Sequence, residues 1–376
     1  MPLRKPLSRI VPALAALGVV VCLAGCGKFF VPINPTPPSG TGNYFYVANA
    51  SATASVAGLE IGTSNLSNTS NSPYALGVAP SALAVTPNGQ YIYAASLAGA
   101  IYGFSVGSNG ALSLLNGGSA LVNNISPTAL RVDPSGNWLI VVDPTPAAYV
   151  FSITSSNGLL TQQGTSLNLD AGAPNHIVFT PNNGLVYISL GTGGVDICTF
   201  AVSSGALTKT QILRPQGPAY ADQGLAVDPA GQYLFVAETG GNGLREFSIG
   251  ATGALAELTG SPFKTGLGPT AVLVDSTGSY VYVTNRTDGT ISAFSLSSTG
   301  GLTAISGSPF ATGLQPSDIA EDPSNTYLGV ACTGGGPDFQ VFAIGGATST
   351  TPGGLTSFAK TVGSNPSGAF AVVAAD

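Results

Sequence analysis

Pro269-Thr270-Ala271-Val272-Leu273-Val274-Asp275-Ser276-Thr277-Gly278-Ser279-Tyr280-Val281-Tyr282-Val283-Thr284-Asn285-Arg286 holds two short runs of apolar, mostly β-branched and aromatic residues on either side of an Asp-Ser-Thr-Gly turn. Such runs, bounded by turn residues, read as two antiparallel strands of a hairpin. The pattern returns along the chain. Its turn position falls at Pro87, Pro134, Pro181, Pro229, Ser276 and Pro323, with steps of 47, 47, 48, 47 and 47 residues. Four residues after each stand Tyr91, Trp138, Leu185, Tyr233, Tyr280 and Tyr327, and a later apolar run in each unit carries Phe104, Phe151, Phe200, Phe247, Phe294 and Phe342. Glycine-bearing turns such as 107–110, 155–158 and 250–253 divide a third strand from a fourth. Four short strands in a unit of this length are the signature of a propeller blade.

The ends of the chain complete the count. Pro366 to Val373 reads as an innermost strand with nothing after it, and Tyr44 to Asn49 as a second strand with nothing before it. Pairing them makes a seventh blade and closes the ring, which removes the free strand edges of an open array. The expected fold is therefore all-β, a seven-bladed propeller of four-stranded blades over residues 44–376, closed by its N- and C-terminal strands.

Residues before Tyr44 read differently. Arg4, Lys5 and Arg9 precede an uncharged stretch from Ile10 to Val21, followed by Leu23-Ala24-Gly25-Cys26. This is the order of a signal peptide, residues 1–25, and the last four residues resemble a bacterial lipobox. Cys26 is the expected lipidation site, and residues 26–43, with Pro32, Pro35, Pro37, Pro38, Gly40 and Gly42, read as an extended tether. The expected location is the cell envelope, with the membrane contacted through the lipid anchor. Only Cys198 and Cys332 then remain in the fold. They fall in nonadjacent blades and are expected to be free, because a disulfide needs α-carbons within about 7 Å.

Composition limits the function classes. The chain has 376 residues, 7% of them charged, 51 glycines and a formal charge of -6. Losing the three cations of the signal peptide makes it more acidic still, and no basic stripe offers itself to nucleic acid. No Gly-rich phosphate loop, Cys/His zinc spacing or serine-nucleophile elbow appears in a suitable context. No cofactor and no metal are expected, and the protein is expected to act as a monomer.

The segment Tyr280-Val281-Tyr282-Val283-Thr284-Asn285-Arg286 resembles the repeat named for its Tyr-Val-Thr-Asn core, as found in seven-bladed 6-phosphogluconolactonases. The likeness runs from about Tyr44 to Val373. It implies a site at the upper mouth of the channel, where inner strands begin and second strands end. The family places a His before one inner strand, an Arg-His pair and a Glu on the next blade, and an Arg after an Asn on the one following. Here His176, Glu238 and Asn285-Arg286 match, whereas Gln223-Gly224 stand where the Arg-His pair should be.

Chemically, His176 or Glu238 could take a proton from water attacking a lactone carbonyl, and Arg286 could hold an anionic group or the developing oxyanion. His176 is the chain's single histidine. Asp143, Asp222, Asn285 and Asp318 are further mouth candidates for binding, although no compact run of carboxylates has metal-ligand spacing. Two readings stay open: a lactone hydrolase with catalytic His176, Glu238 and Arg286, and a noncatalytic envelope propeller that binds a protein or glycan on its upper face. In the second, His176 is a rim residue bonded to a neighbouring blade, and Glu238 and Arg286 are an ion pair.

Overall fold

A computed structural model describes residues 43–50, 54–360 and 368–375. The expected signal peptide, Cys26 and most of the expected tether lie outside the described residues. The strands between Tyr44 and Ala375 form seven antiparallel sheets, and the inner strand of each packs against the inner strand of the next until the ring returns to its start.

Blade 1 is the closing blade, with Ala369–Ala375 innermost, then Tyr44–Asn49 and Ser55–Ile61. Tyr44 pairs with Ala375 and Ala48 with Ala371, so the two chain ends share one sheet. Blades 2 to 7 follow in chain order, their inner strands being Ala82–Val85, Ala129–Val132, His176–Phe179, Ala221–Val227, Pro269–Val274 and Leu314–Glu321. In blades 1, 2, 5 and 6 the outermost strand is split in two. In blade 6, Leu302–Ala304 and then Phe310–Ala311 each pair with Thr290–Leu296.

Alternation along the second strands builds the core. Tyr46 and Ala48 enter the cluster shared with blade 2, while Phe45 and Val47 enter the cluster shared with blade 7. Because both faces abut a neighbour, every residue of Tyr44–Asn49 is buried, and so is all of Tyr91–Ser96. Seven hydrophobic clusters result, one at each blade interface.

The repeated turn has a physical reason for its residues. Asp133, Asp228, Asp275 and Asp322 each accept the backbone N–H groups four and five residues on, which fixes the turn. The turn then needs a left-handed residue, supplied by Gly at 89, 136, 231 and 278 and by Asn183 and Asn325 in blades 4 and 7. Side chains also latch neighbouring blades. Tyr46, Tyr93 and Tyr282 each donate from the phenol to a glycine carbonyl in the next blade, at 2.9 Å to Gly110, Gly158 and Gly353. Trp138 does the same with its indole N–H to Val202.

Candidate functional site

At the upper mouth, the residue ending each second strand closes a hairpin, and two of the candidate residues are used for that. Asp143 accepts the Thr145 and Ala147 N–H groups and the hydroxyls of Thr145 and Tyr149. Asn285 donates through Nδ2 to the hydroxyls of Thr290 and Ser292 and is fully buried. Both are held within their own blades.

Blade 5 gathers the charged candidates. Asp222 opens its inner strand and pairs in register with Glu238 of the second strand. Both are fully enclosed, at 0% and 1% exposure. Arg245, from the third strand, reaches both: its guanidinium lies 3.5 Å from Glu238, 4.0 Å from Asp222 and 3.0 Å from Glu257. Glu238 also accepts the Gln216 N–H at 3.0 Å. Burial, then the neighbouring Glu238 carboxylate, pushes Asp222 up to about 7 against the pull of Arg245, so Asp222 takes up and releases a proton near neutrality.

The expected alternative of a Glu238–Arg286 ion pair is therefore corrected: the cation beside Glu238 is Arg245. Arg286, one blade on and half-buried, donates to the neutral Gln315 side chain at 3.3 Å. Arg245 escaped the sequence reading, yet a signal was present. An arginine inside the apolar strand Gly243-Leu244-Arg245-Glu246-Phe247-Ser248-Ile249 must find a carboxylate if that strand is buried.

His176 heads the inner strand of blade 4, and its Nδ1 accepts the Leu225 N–H of blade 5 at 3.4 Å. This is the rim position bonded to a neighbouring blade. Burial, then the Arg131 cation, lowers its pKa to about 4, so at neutral pH the ring is neutral and carries its proton on Nε2. Asp318 lies within the inner strand of blade 7 and accepts the N–H groups of Ile319 and of Val372 in blade 1, each at 2.9 Å. Burial raises it to about 6, opposed by those two N–H groups and by Arg131.

The structure thus brings His176, Asp222 and Glu238 around the head of one inner strand. Asn175, next to His176, bonds the Asp222 carbonyl and the Gln223 side chain across the same interface. Arg286, Asp143, Asn285 and Asp318 stand on other blades around the ring.

With this geometry in hand, similarity to known proteins is informative. A family model described as a seven-bladed β-propeller lactonase matches residues 39–303 and 257–362. The chain belongs to the lactonase propeller family. No curated protein sequence is detectably similar to it. Among solved structures, the lactonase propeller is similar to a periplasmic gluconolactonase from Pseudomonas aeruginosa, with a TM-score of 0.71 at 15% identity over 89% of this chain and 99% of that one. It is equally similar to a candidate 6-phosphogluconolactonase from Bacteroides fragilis NCTC 9343, with a TM-score of 0.72 at 18% identity over 91% and 100% of the two chains. At such identities the likeness to these lactonase propellers is one of fold.

Proposed function

We propose that this lactonase-family propeller is exported, anchored to the cell envelope through acylated Cys26, and opens a small sugar lactone or similar cyclic ester at its upper mouth. The observation that carries the reading is Arg286: a half-buried guanidinium at the mouth whose hydrogen-bonded side-chain partner is neutral, so its charge remains available to a ligand. In the reaction, water adds to the lactone carbonyl carbon and gives a proton to Asp222, the oxyanion collapses, the ring C–O bond breaks and the released alkoxide takes that proton back. Arg286 stabilises the oxyanion. His176, with Nδ1 occupied, offers Nε2–H to a substrate oxygen from blade 4. Asp222, in register with Glu238 just behind the mouth, takes up and releases a proton near neutrality, which is the acid/base capacity the step requires. Fold likeness to a periplasmic gluconolactonase supports both the substrate class and the compartment.

A second reading is favoured by a different observation. The exposed large side chains Leu97, Leu267, Leu314 and Phe370 all sit at the upper ends of strands, on blades 2, 6, 7 and 1, which are consecutive round the ring. That arc suits a noncatalytic propeller holding a protein or glycan partner.

One experiment separates them. The full chain, purified in detergent, is titrated by pH-stat against glucono-δ-lactone and an aliphatic lactone beside Arg286→Gln. Acid release above the spontaneous rate that falls by about tenfold or more in the variant supports the hydrolase. Release no faster than background with any lactone overturns it and leaves the binding reading. Anchoring is read independently, by palmitate labelling that disappears in Cys26→Ser.

A further inference from the structure

Below the level of His176 and Asp318, one layer of inner-strand residues is defined by register. Ala84, Arg131, Val178, Ala226, Leu273, Ala320 and Val373 pair respectively with Tyr93, Ile140, Tyr187, Phe235, Tyr282, Gly329 and Tyr46, the same position of every second strand. Six of the seven are apolar and the seventh is an arginine.

Arg131 is exposed to water, although it projects from the middle of the ring. Its guanidinium has no hydrogen-bond or ion-pair partner among the described residues. The cavity it lines is walled by inner-strand residues of blades 1 to 4, Val373, Ala84, Val132 and Phe179 among them, which places the cation on the axial channel, within electrostatic reach of His176 in blade 4 and of Asp318 in blade 7. Asp318 already accepts two backbone N–H groups and holds the closing blade. An arginine that lines a cavity and has no side-chain partner there leaves its guanidinium fork open to an anion.

The walls indicate the rest of that anion. Arg131 lines a cavity of ≈ 300 Å³ with Ala84, Val85, Val132, Phe179 and Val373, and the lower-face turn residues Pro87 and Pro134 border it. Ligand sites run from roughly 300 to 1,000 Å³, so this is a small one. One cation permits one negative charge, and Asp318 across the channel discourages a second. Apolar walls reject a polyol, which would lose its hydrogen bonds to water.

We infer that the lower channel is a second binding site, separate from the upper mouth, which takes a small monocarboxylate with an apolar body by forking its carboxylate onto Arg131. The inference does not depend on the lactonase reading, because none of the upper-mouth residues belongs to this cavity.

The test is calorimetric titration of the full chain in detergent with hexanoate, hexanamide and gluconate. Hexanoate binds, while hexanamide and gluconate bind at least about tenfold more weakly, the loss expected when a charge-assisted pair or an apolar contact is missing. Arg131→Gln weakens hexanoate by about tenfold or more, Arg131→Lys restores part of the affinity, and Arg286→Gln leaves it unchanged. No hexanoate binding at millimolar concentration overturns the site. So does hexanamide binding as well as hexanoate, or equal affinity in Arg131→Gln. The hexanoate and hexanamide comparison shows in the unmutated chain whether a carboxylate is required, and the contrast between Arg131→Lys and Arg286→Gln assigns that requirement to the lower channel rather than to the mouth.

Discussion

His176 and Asp318 occupy the same position in blades 4 and 7, pairing with Ser189 and Ala331, and each accepts a backbone N–H from the adjoining blade. An imidazole and a carboxylate thus do one structural job, bracketing neighbouring inner strands. Truncating either leaves an N–H unmet, but the charge-assisted bond to Asp318 is the stronger. His176→Ala should cost about 1 kcal/mol and Asp318→Ala about 2 kcal/mol in urea unfolding, with His176→Asn nearer wild type. Equal stability of all three with the parent would show that the bracket carries nothing.

Arg245 is the next test. It is 4% exposed and stands between Asp222, Glu238 and Glu257. Breaking a buried charge network from one side costs about 3–5 kcal/mol, because the remaining charges have no partner. Arg245→Met should unfold at much lower denaturant concentration, and the deficit should widen from pH 5.5 to pH 8 as the freed acids must ionise. A loss below about 1 kcal/mol at both pH values would contradict the role given to the network.

Glu246 supplies a pH dependence of known sign. Its carboxylate is fully buried, both oxygens lack hydrogen-bond partners, and burial with the Asp228 charge raises its pKa from 4.5 to about 7. The folded state then binds a proton more tightly than the unfolded one. The stability this gives is complete below about pH 4.5 and disappears as pH rises through about 7. Glu246→Gln, an isostere of the protonated acid, should match wild type at pH 4.5 and melt about 3 °C higher at pH 8. Melting at or below the wild-type temperature at pH 8 would refute this.

Cys198 and Cys332 are unpaired and buried in different interfaces, those between blades 3 and 4 and between blades 6 and 7. Burial raises them to about 12 and about 11, so they are unreactive in the folded state. Native mature protein should take up almost no thiol reagent, and denatured, unreduced protein should take up two equivalents. Finding none, with a bridged peptide by mass spectrometry, would exclude this blade arrangement.

Blade number, strand order and ring closure were legible in the chain because they rest on local rules repeated six times and on two terminal strands that each lack a partner. The repeated turn needs a side-chain oxygen from Asp or Thr and a left-handed Gly or Asn, and the alternation after it needs two buried faces, whatever lies elsewhere. The chemistry was legible only as residue types at the heads of strands. What became of those residues depended on partners supplied by other strands and blades: Glu238 meets Arg245 rather than Arg286, and Asp222 is raised to about 7 by burial and then by Glu238. Arg131 was one more charge in a strand until the ring set it on the channel axis. A repeat fixes its own backbone through short-range hydrogen bonds and side-chain period. Ionisation and pairing depend on distance and burial across the ring, and only the closed tertiary structure sets those.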